Sequence, residues 1–251
     1  MTRTISLIAL TALLPATAAM AEIEAGYHQY DVGGTTFEGY VAHNSNLEES
    51  KGTVLIVHDW DGMTDYEERR ADMLAAQGYT AFAIDVYGAD ADPQGMEDYQ
   101  ELSGALYADR ELFQERLMGS IAEAANIPGA TDAMVIQGYC FGGAAVLEAA
   151  RAGADLDGFV SFHGGLDTPE GQDYSATTAP VMLFHGSADP VSGMDALASV
   201  LDQLQEAGVE HGAEIFGGAR HSFTVYGSGD YDLEADTASW NSLLAFLDET
   251  F

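Results

Sequence analysis

Five short, nearly unbroken apolar runs recur along the chain: TVLIVH (53–58), AFAID (81–85), AMVIQ (133–137), FVSFH (159–163) and VMLFH (181–185). A strand with one wet face alternates apolar and polar residues, whereas a strand covered on both faces has no reason to. The runs therefore predict buried strands of a parallel sheet. Between them the apolar spacing becomes helical. Thr64 and Glu67 form a capping box that starts one helix, and Gly78 stops it. Leu197, Val200, Leu201 and Leu204 share one helical face ending at Gly208, and Trp240, Leu243, Leu244 and Leu247 share another near the C-terminus. Strands alternating with helices predict an α/β domain whose mostly parallel sheet carries helices on both faces.

The two ends of the pattern differ from its middle. AGYHQYDVGGTTFEGYVAHN reads as two strands around Gly33 and Gly34, an antiparallel hairpin at the sheet edge. Residues 86–130 form the longest stretch without a strand: a loop rich in Gly, Asp and Pro at 88–96, then helices over 98–127, placed as such segments are when they cover a site. The first 21 residues carry one Arg, an apolar stretch broken by Pro15, and small residues at Ala19 and Ala21. They read as a secretory signal cleaved after Ala21, too short to span a membrane. One domain is expected over 22–251, in the periplasm or secreted, with no stable membrane association once the signal is gone.

Charge narrows the partners. Forty-one Asp and Glu face eight Lys and Arg, a formal net charge of −33, and Lys51 is the only lysine. Such a chain cannot neutralise phosphates, so nucleic acid is excluded as a partner. The composition sets no oligomeric state.

Cys140 is the only cysteine, so no internal disulfide forms even in an oxidising compartment. It sits in GYCFG (138–142), after an apolar run and before GAAVLEAA, a good helix. Gly138 and Gly142 flank it as the glycines flank the serine of G-x-S-x-G. In that motif the nucleophile occupies a strained turn, and its neighbours must be small for strand and helix to approach. The start of the new helix favours an anion, which predicts a lowered thiol pKa. The competing reading of a lone cysteine is a small buried hydrophobe.

A nucleophile of this kind needs a histidine base and a carboxylate, which follow it in the chain in the order acid, then histidine. His28 and His43 lie in the hairpin, and His211 begins a strand. His58, His163 and His185 end strands and could line the site, but precede or adjoin the acid position. His221, in a loop after the strand AEIF, is where the base belongs, and Asp189, after VMLFH, is where the acid belongs. HDWD (58–61) is a weak set of metal ligands, and neither metal nor cofactor is expected.

The segments HDWDG, GYCFGG, GSADP and GARHSFT, in this order, resemble the dienelactone hydrolase family of α/β-hydrolases over about residues 27–249. The resemblance implies a sheet of about eight strands, a Cys140–His221–Asp189 triad, and an ester or lactone as small-molecule substrate. Two positions depart from the family pattern. A glutamate that helps activate the thiol is replaced by Asp59, and an arginine that holds a substrate carboxylate is replaced by Val225. Arg110, in the covering segment, is the cation expected to reach the pocket. The backbone N–H groups of Phe141 and Trp60 are expected to hold the oxyanion of an acyl transfer. The alternative is a periplasmic binding protein that kept the fold and lost turnover.

Overall fold

The computed structural model describes residues 22–251; the proposed signal lies outside them. Eight strands form one sheet in the order β1-β2-β4-β3-β5-β6-β7-β8. They are β1 (Ile23–Val32), β2 (Thr35–Asn44), β3 (Thr53–Val57), β4 (Thr80–Ile84), β5 (Met134–Tyr139), β6 (Gly158–Phe162), β7 (Val181–Gly186) and β8 (His211–Phe216). β1 and β2 form the antiparallel hairpin, β2 joins β4 antiparallel, and the remaining pairs are parallel.

The unbroken apolar runs are explained by two cores, one on each face. In β3, Val54 and Ile56 enter one core while Leu55 and Val57 enter the other; Ala81 and Ala83 against Phe82 and Ile84 do the same in β4. Helices α1 (Asp65–Ala76) and α6 (Leu233–Thr250) cover the first face. The second is covered by α2 (Met96–Ala108), α3 (Arg110–Glu123), α4 (Phe141–Arg151) and α5 (Met194–Ala207). Thr64 caps α1 with the reciprocal Glu67 bond that the sequence predicts.

β4 lies on one side of β3 and β5 on the other, so the strand order reverses at β3. In such a sheet, ligands meet the crevice at the carboxyl ends of the strands beside the reversal. There the chain leaves β3 into 58–64 and leaves β5 into Cys140.

Candidate active site

Cys140 stands between β5 and α4 with φ 51° and ψ −108°, a conformation that side chains other than glycine rarely adopt. Only small neighbours permit this turn. A Cβ on Gly138 would run into the carbonyl of Gly142, and one on Gly142 into the carbonyl of Val57. The two glycines thus let the end of β5, the start of α4 and the end of β3 pack backbone to backbone.

The loops after β7 and β8 bring up two further side chains. His221 Nε2 lies 2.9 Å from Cys140 Sγ, and Asp189 Oδ2 lies 2.8 Å from His221 Nδ1. Asp189 is itself held by the Val191 and Ser192 N–H groups, which donate to Oδ1 at 2.7 and 3.0 Å. Burial pushes the Asp189 carboxyl up. The bond from His221, the charge of that ring and the two amides outweigh burial and hold it below the usual carboxylate range.

The thiol is not lowered. Burial, then the charge of Asp59 and a bond to its carboxylate, push Cys140 well above the ordinary thiol value. The Phe141 N–H, at the head of α4, opposes them without winning. The lowering expected from the helix start does not prevail: burial first, then the charges of Asp59 and Asp189, outweigh the helix-terminal N–H and push the thiol up.

The charge of Asp59 acts on the sulfur, and its carboxylate accepts the Trp60 N–H at 2.5 Å. The expected oxyanion donor is thus occupied by its own neighbour. Burial and the charge of Asp61 push Asp59 up to about 6, against the pull of Trp60, Cys140 and His221. Glu67, fully buried, accepts from Asp59 N at 3.2 Å, Thr64 N at 3.0 Å and Thr64 Oγ1 at 2.8 Å. Burial drives it up to about 8. His58 Nε2 accepts from the Val86 N–H at 3.2 Å, so Nδ1 carries the proton and donates to Asp59 O at 2.6 Å. HDWD is therefore a braced loop. Among the described residues no group of three His, Cys, Asp or Glu side chains is arranged to hold a metal ion.

The other wall is aromatic. Tyr107 of α2 sets its ring 5.4 Å from Phe141, Trp60 faces Tyr99 at 5.6 Å, and Tyr87 Oη donates to Trp60 O at 2.9 Å. The covering segment reaches the site through these rings and not through Arg110. Arg110 Nη1 is turned to buried Glu148 at 2.9 Å, which also binds Arg151, Gln114 and Gln172. A buried carboxylate demands cations more strongly than a half-open pocket does, which corrects the expectation for Arg110. Arg70 of α1 is buried and paired with Asp236 of α6. Capping chemistry marked Glu67 in the sequence, and a strand end marked His163, but neither feature announced a role near the sulfur.

A tight strand-to-helix turn carrying Cys140 at the carboxyl edge of a mostly parallel eight-stranded sheet, with Asp189 and His221 on later loops, has the layout of an α/β-hydrolase. Residues 37–251 match the dienelactone hydrolase family, and the chain belongs to it. That is a family of ester and lactone hydrolases. The chain is 25% identical over 209 residues to a protein of Bradyrhizobium sp named as a 2-oxo-3-(5-oxofuran-2-ylidene)propanoate lactonase, with 77% of this chain and 82% of that one covered. It is 22% identical to an Escherichia coli K12 protein named as a carboxymethylenebutenolidase, over 88% of this chain and 86% of the other. Among solved structures it resembles the dienelactone hydrolase-like promiscuous phosphotriesterase P91 from metagenomic libraries. There the TM-score is 0.85 at 28% identity, over 91% of this chain and 99% of the other. It shares its fold with a dienelactone hydrolase from Klebsiella pneumoniae, with a TM-score of 0.76 at 22% identity over 90% and 99% of the two chains.

Proposed function

We propose that the protein cleaves esters or lactones with Cys140 as nucleophile, His221 as base and Asp189 as the group that orients the imidazole. The observation carrying this reading is the unbroken line from Cys140 Sγ to His221 Nε2 at 2.9 Å and from His221 Nδ1 to Asp189 Oδ2 at 2.8 Å. Asp189 fixes the tautomer, since Nδ1 must donate to the carboxylate and Nε2 is left free to accept. Sγ attacks the carbonyl carbon while its proton passes to Nε2. The tetrahedral oxyanion collapses, the carbon–oxygen bond to the leaving group breaks, and that oxygen takes the proton from Nε2. Water then attacks the acyl-enzyme, its proton passes through Nε2 to the sulfur, and the carboxylic acid leaves.

The resting thiol costs little in this scheme, because proton and electron pair move together. At rest the thiol hydrogen is directed to His221 Nε2, while Asp59 holds the Trp60 N–H. When a carbonyl enters, the Asp59 carboxylate turns away, and the N–H groups of Trp60 and Phe141 cradle the oxyanion. The N-terminal 21 residues support export to the periplasm or beyond, and the mass of the mature chain, beginning at Glu22, checks that.

The test is a screen of neutral and anionic esters and lactones with wild type, Cys140→Ser and Cys140→Ala. Cys140→Ala is expected to fold and to lose roughly 10⁴-fold or more in kcat. A variant keeping more than about a tenth of wild-type turnover would rule out covalent catalysis at this sulfur. A wild type inert to every substrate would favour a binding protein on the same fold.

A further inference from the structure

Cys140 and His163 are the two non-glycine residues with positive φ among the described residues, at 51° and 39°. They leave neighbouring strands, β5 and β6, side by side. The Cys140 N–H lies between two acceptors, Phe162 O at 3.1 Å and His163 Nδ1 at 3.2 Å. A backbone N–H only donates, so Nδ1 bears no proton and Nε2 carries it. Nε2–H therefore donates to Thr224 Oγ1, 2.7 Å away. The same hydroxyl shares a hydrogen bond with Tyr66 Oη at 2.7 Å.

This chain of hydrogen bonds runs from the backbone N–H of Cys140 to α1. Its middle member, Thr224, stands three residues after His221 in the same loop. Arg70 donates to the Thr224 carbonyl at 2.9 Å and pairs with Asp236 at 2.5 Å, pinning that loop to α1 and α6. His163 and Thr224 are wholly buried. Burial, the charge of His221 and that of Arg70 keep the His163 imidazole neutral, well below its ordinary value.

We infer that His163 is a positioning residue of the hydrolytic site: as its neutral Nε2–H tautomer it ties the backbone of Cys140, through Thr224, to the loop that carries His221. This rests on the reading that sulfur and imidazole react as a pair. The contact between Sγ and Nε2 joins segments 81 residues apart. The bridge from the Cys140 N–H through His163 to Thr224 is a second tie between those two segments, made without the reacting atoms. Displacing one segment by about 1 Å is enough to cost roughly 10²-fold in rate.

Thr224→Val cuts the tie at nearly constant volume, Thr224→Ser keeps the hydroxyl, and His163→Asn keeps an acceptor for the Cys140 N–H in a residue that tolerates positive φ. We expect Thr224→Val to lower kcat by about 10- to 10²-fold with KM changed less than about twofold, and Thr224→Ser to restore most of it. The rate at which iodoacetamide alkylates Cys140, followed from neutral to alkaline pH, is expected to shift in Thr224→Val and return in Thr224→Ser. Asn at 163 should fall between wild type and Thr224→Val. Wild-type kcat and an unchanged alkylation profile in Thr224→Val would overturn the inference. So would equal losses in the Val and Ser variants that track only the melting temperature. Turnover surviving in Cys140→Ala would instead overturn the proposed function; the alkylation profile, which needs no substrate, would then decide the role of His163 alone.

Discussion

The backbone N–H of Trp60 donates to the carboxylate of the residue before it, Asp59, at 2.5 Å. The short aspartate side chain folds back on the next peptide, and its charge is near enough to the sulfur to push the Cys140 thiol up. At rest one carboxylate therefore occupies the Trp60 N–H and, by its charge, opposes ionisation of the thiol. Removing its charge should let the thiol ionise more easily, since the Asp59 charge and bond are the largest influences after burial that push the thiol up. Asp59→Asn is thus expected to be alkylated by iodoacetamide faster than wild type at neutral pH. Slower alkylation would show that Asp59 promotes the thiolate.

Glu67 makes stability depend on pH in an unusual direction. Its carboxyl is raised to about 8 in the fold, against about 4.3 in an unfolded chain. Between those values the native state holds the proton that the unfolded state has released, so the contribution is fully present below about pH 4.3 and is lost as pH rises through about 8. The Glu67 carboxylate braces the loop carrying Asp59 and Trp60, so the same rise in pH loads charge beneath the site. Glu67→Gln is expected to flatten the fall of melting temperature from mildly acidic to mildly alkaline pH. A wild-type slope in that variant would exclude Glu67 as its source.

Substrate charge is set by what the cations already hold. Among the described arginines, Arg70 pairs with Asp236, Arg110 and Arg151 with Glu148, and Arg220 with Asp230. Arg116 donates to the carbonyls of Val86 and Tyr87, and Arg69 lies over the Tyr226 ring. The cleft of about 420 Å³ beside Asp59 is lined by Asp61, Glu67, Val225 and Tyr226 among others. Near the sulfur a carboxylated substrate would meet the charges of Asp59 and Asp189, and an unpaired buried charge costs several kcal/mol, on the order of 3–5. Small neutral esters or lactones are therefore expected to show higher kcat/KM than carboxylated analogues of equal size. Matched pairs measured at low and high salt check this, because salt screens the distant field of the net charge of −33 but not the cleft. Preference for the carboxylated member at both salts would point to an arginine released from its partner.

The strands, the helix caps and the elbow were legible in the chain because each depends on neighbours in sequence: apolar runs for strands covered twice, Thr64 with Glu67 for a helix start, Gly138 and Gly142 for a turn without room for a Cβ. Chain order alone also picked out the sulfur, carboxylate and imidazole that the fold brings together. Electrostatics was decided elsewhere. How far the thiol is pushed up depends on its burial and on Asp59 and Asp189 lying near the sulfur, and whether Arg110 is free depends on Glu148, 38 residues away, being buried. Likewise nothing local in FHGG or SFTV announces that His163 and Thr224 meet 61 residues apart. Hydrophobic period and glycine spacing act over a few residues and leave their mark in the sequence. The field at a buried atom is summed over groups from many loops, and only the folded chain sets those distances.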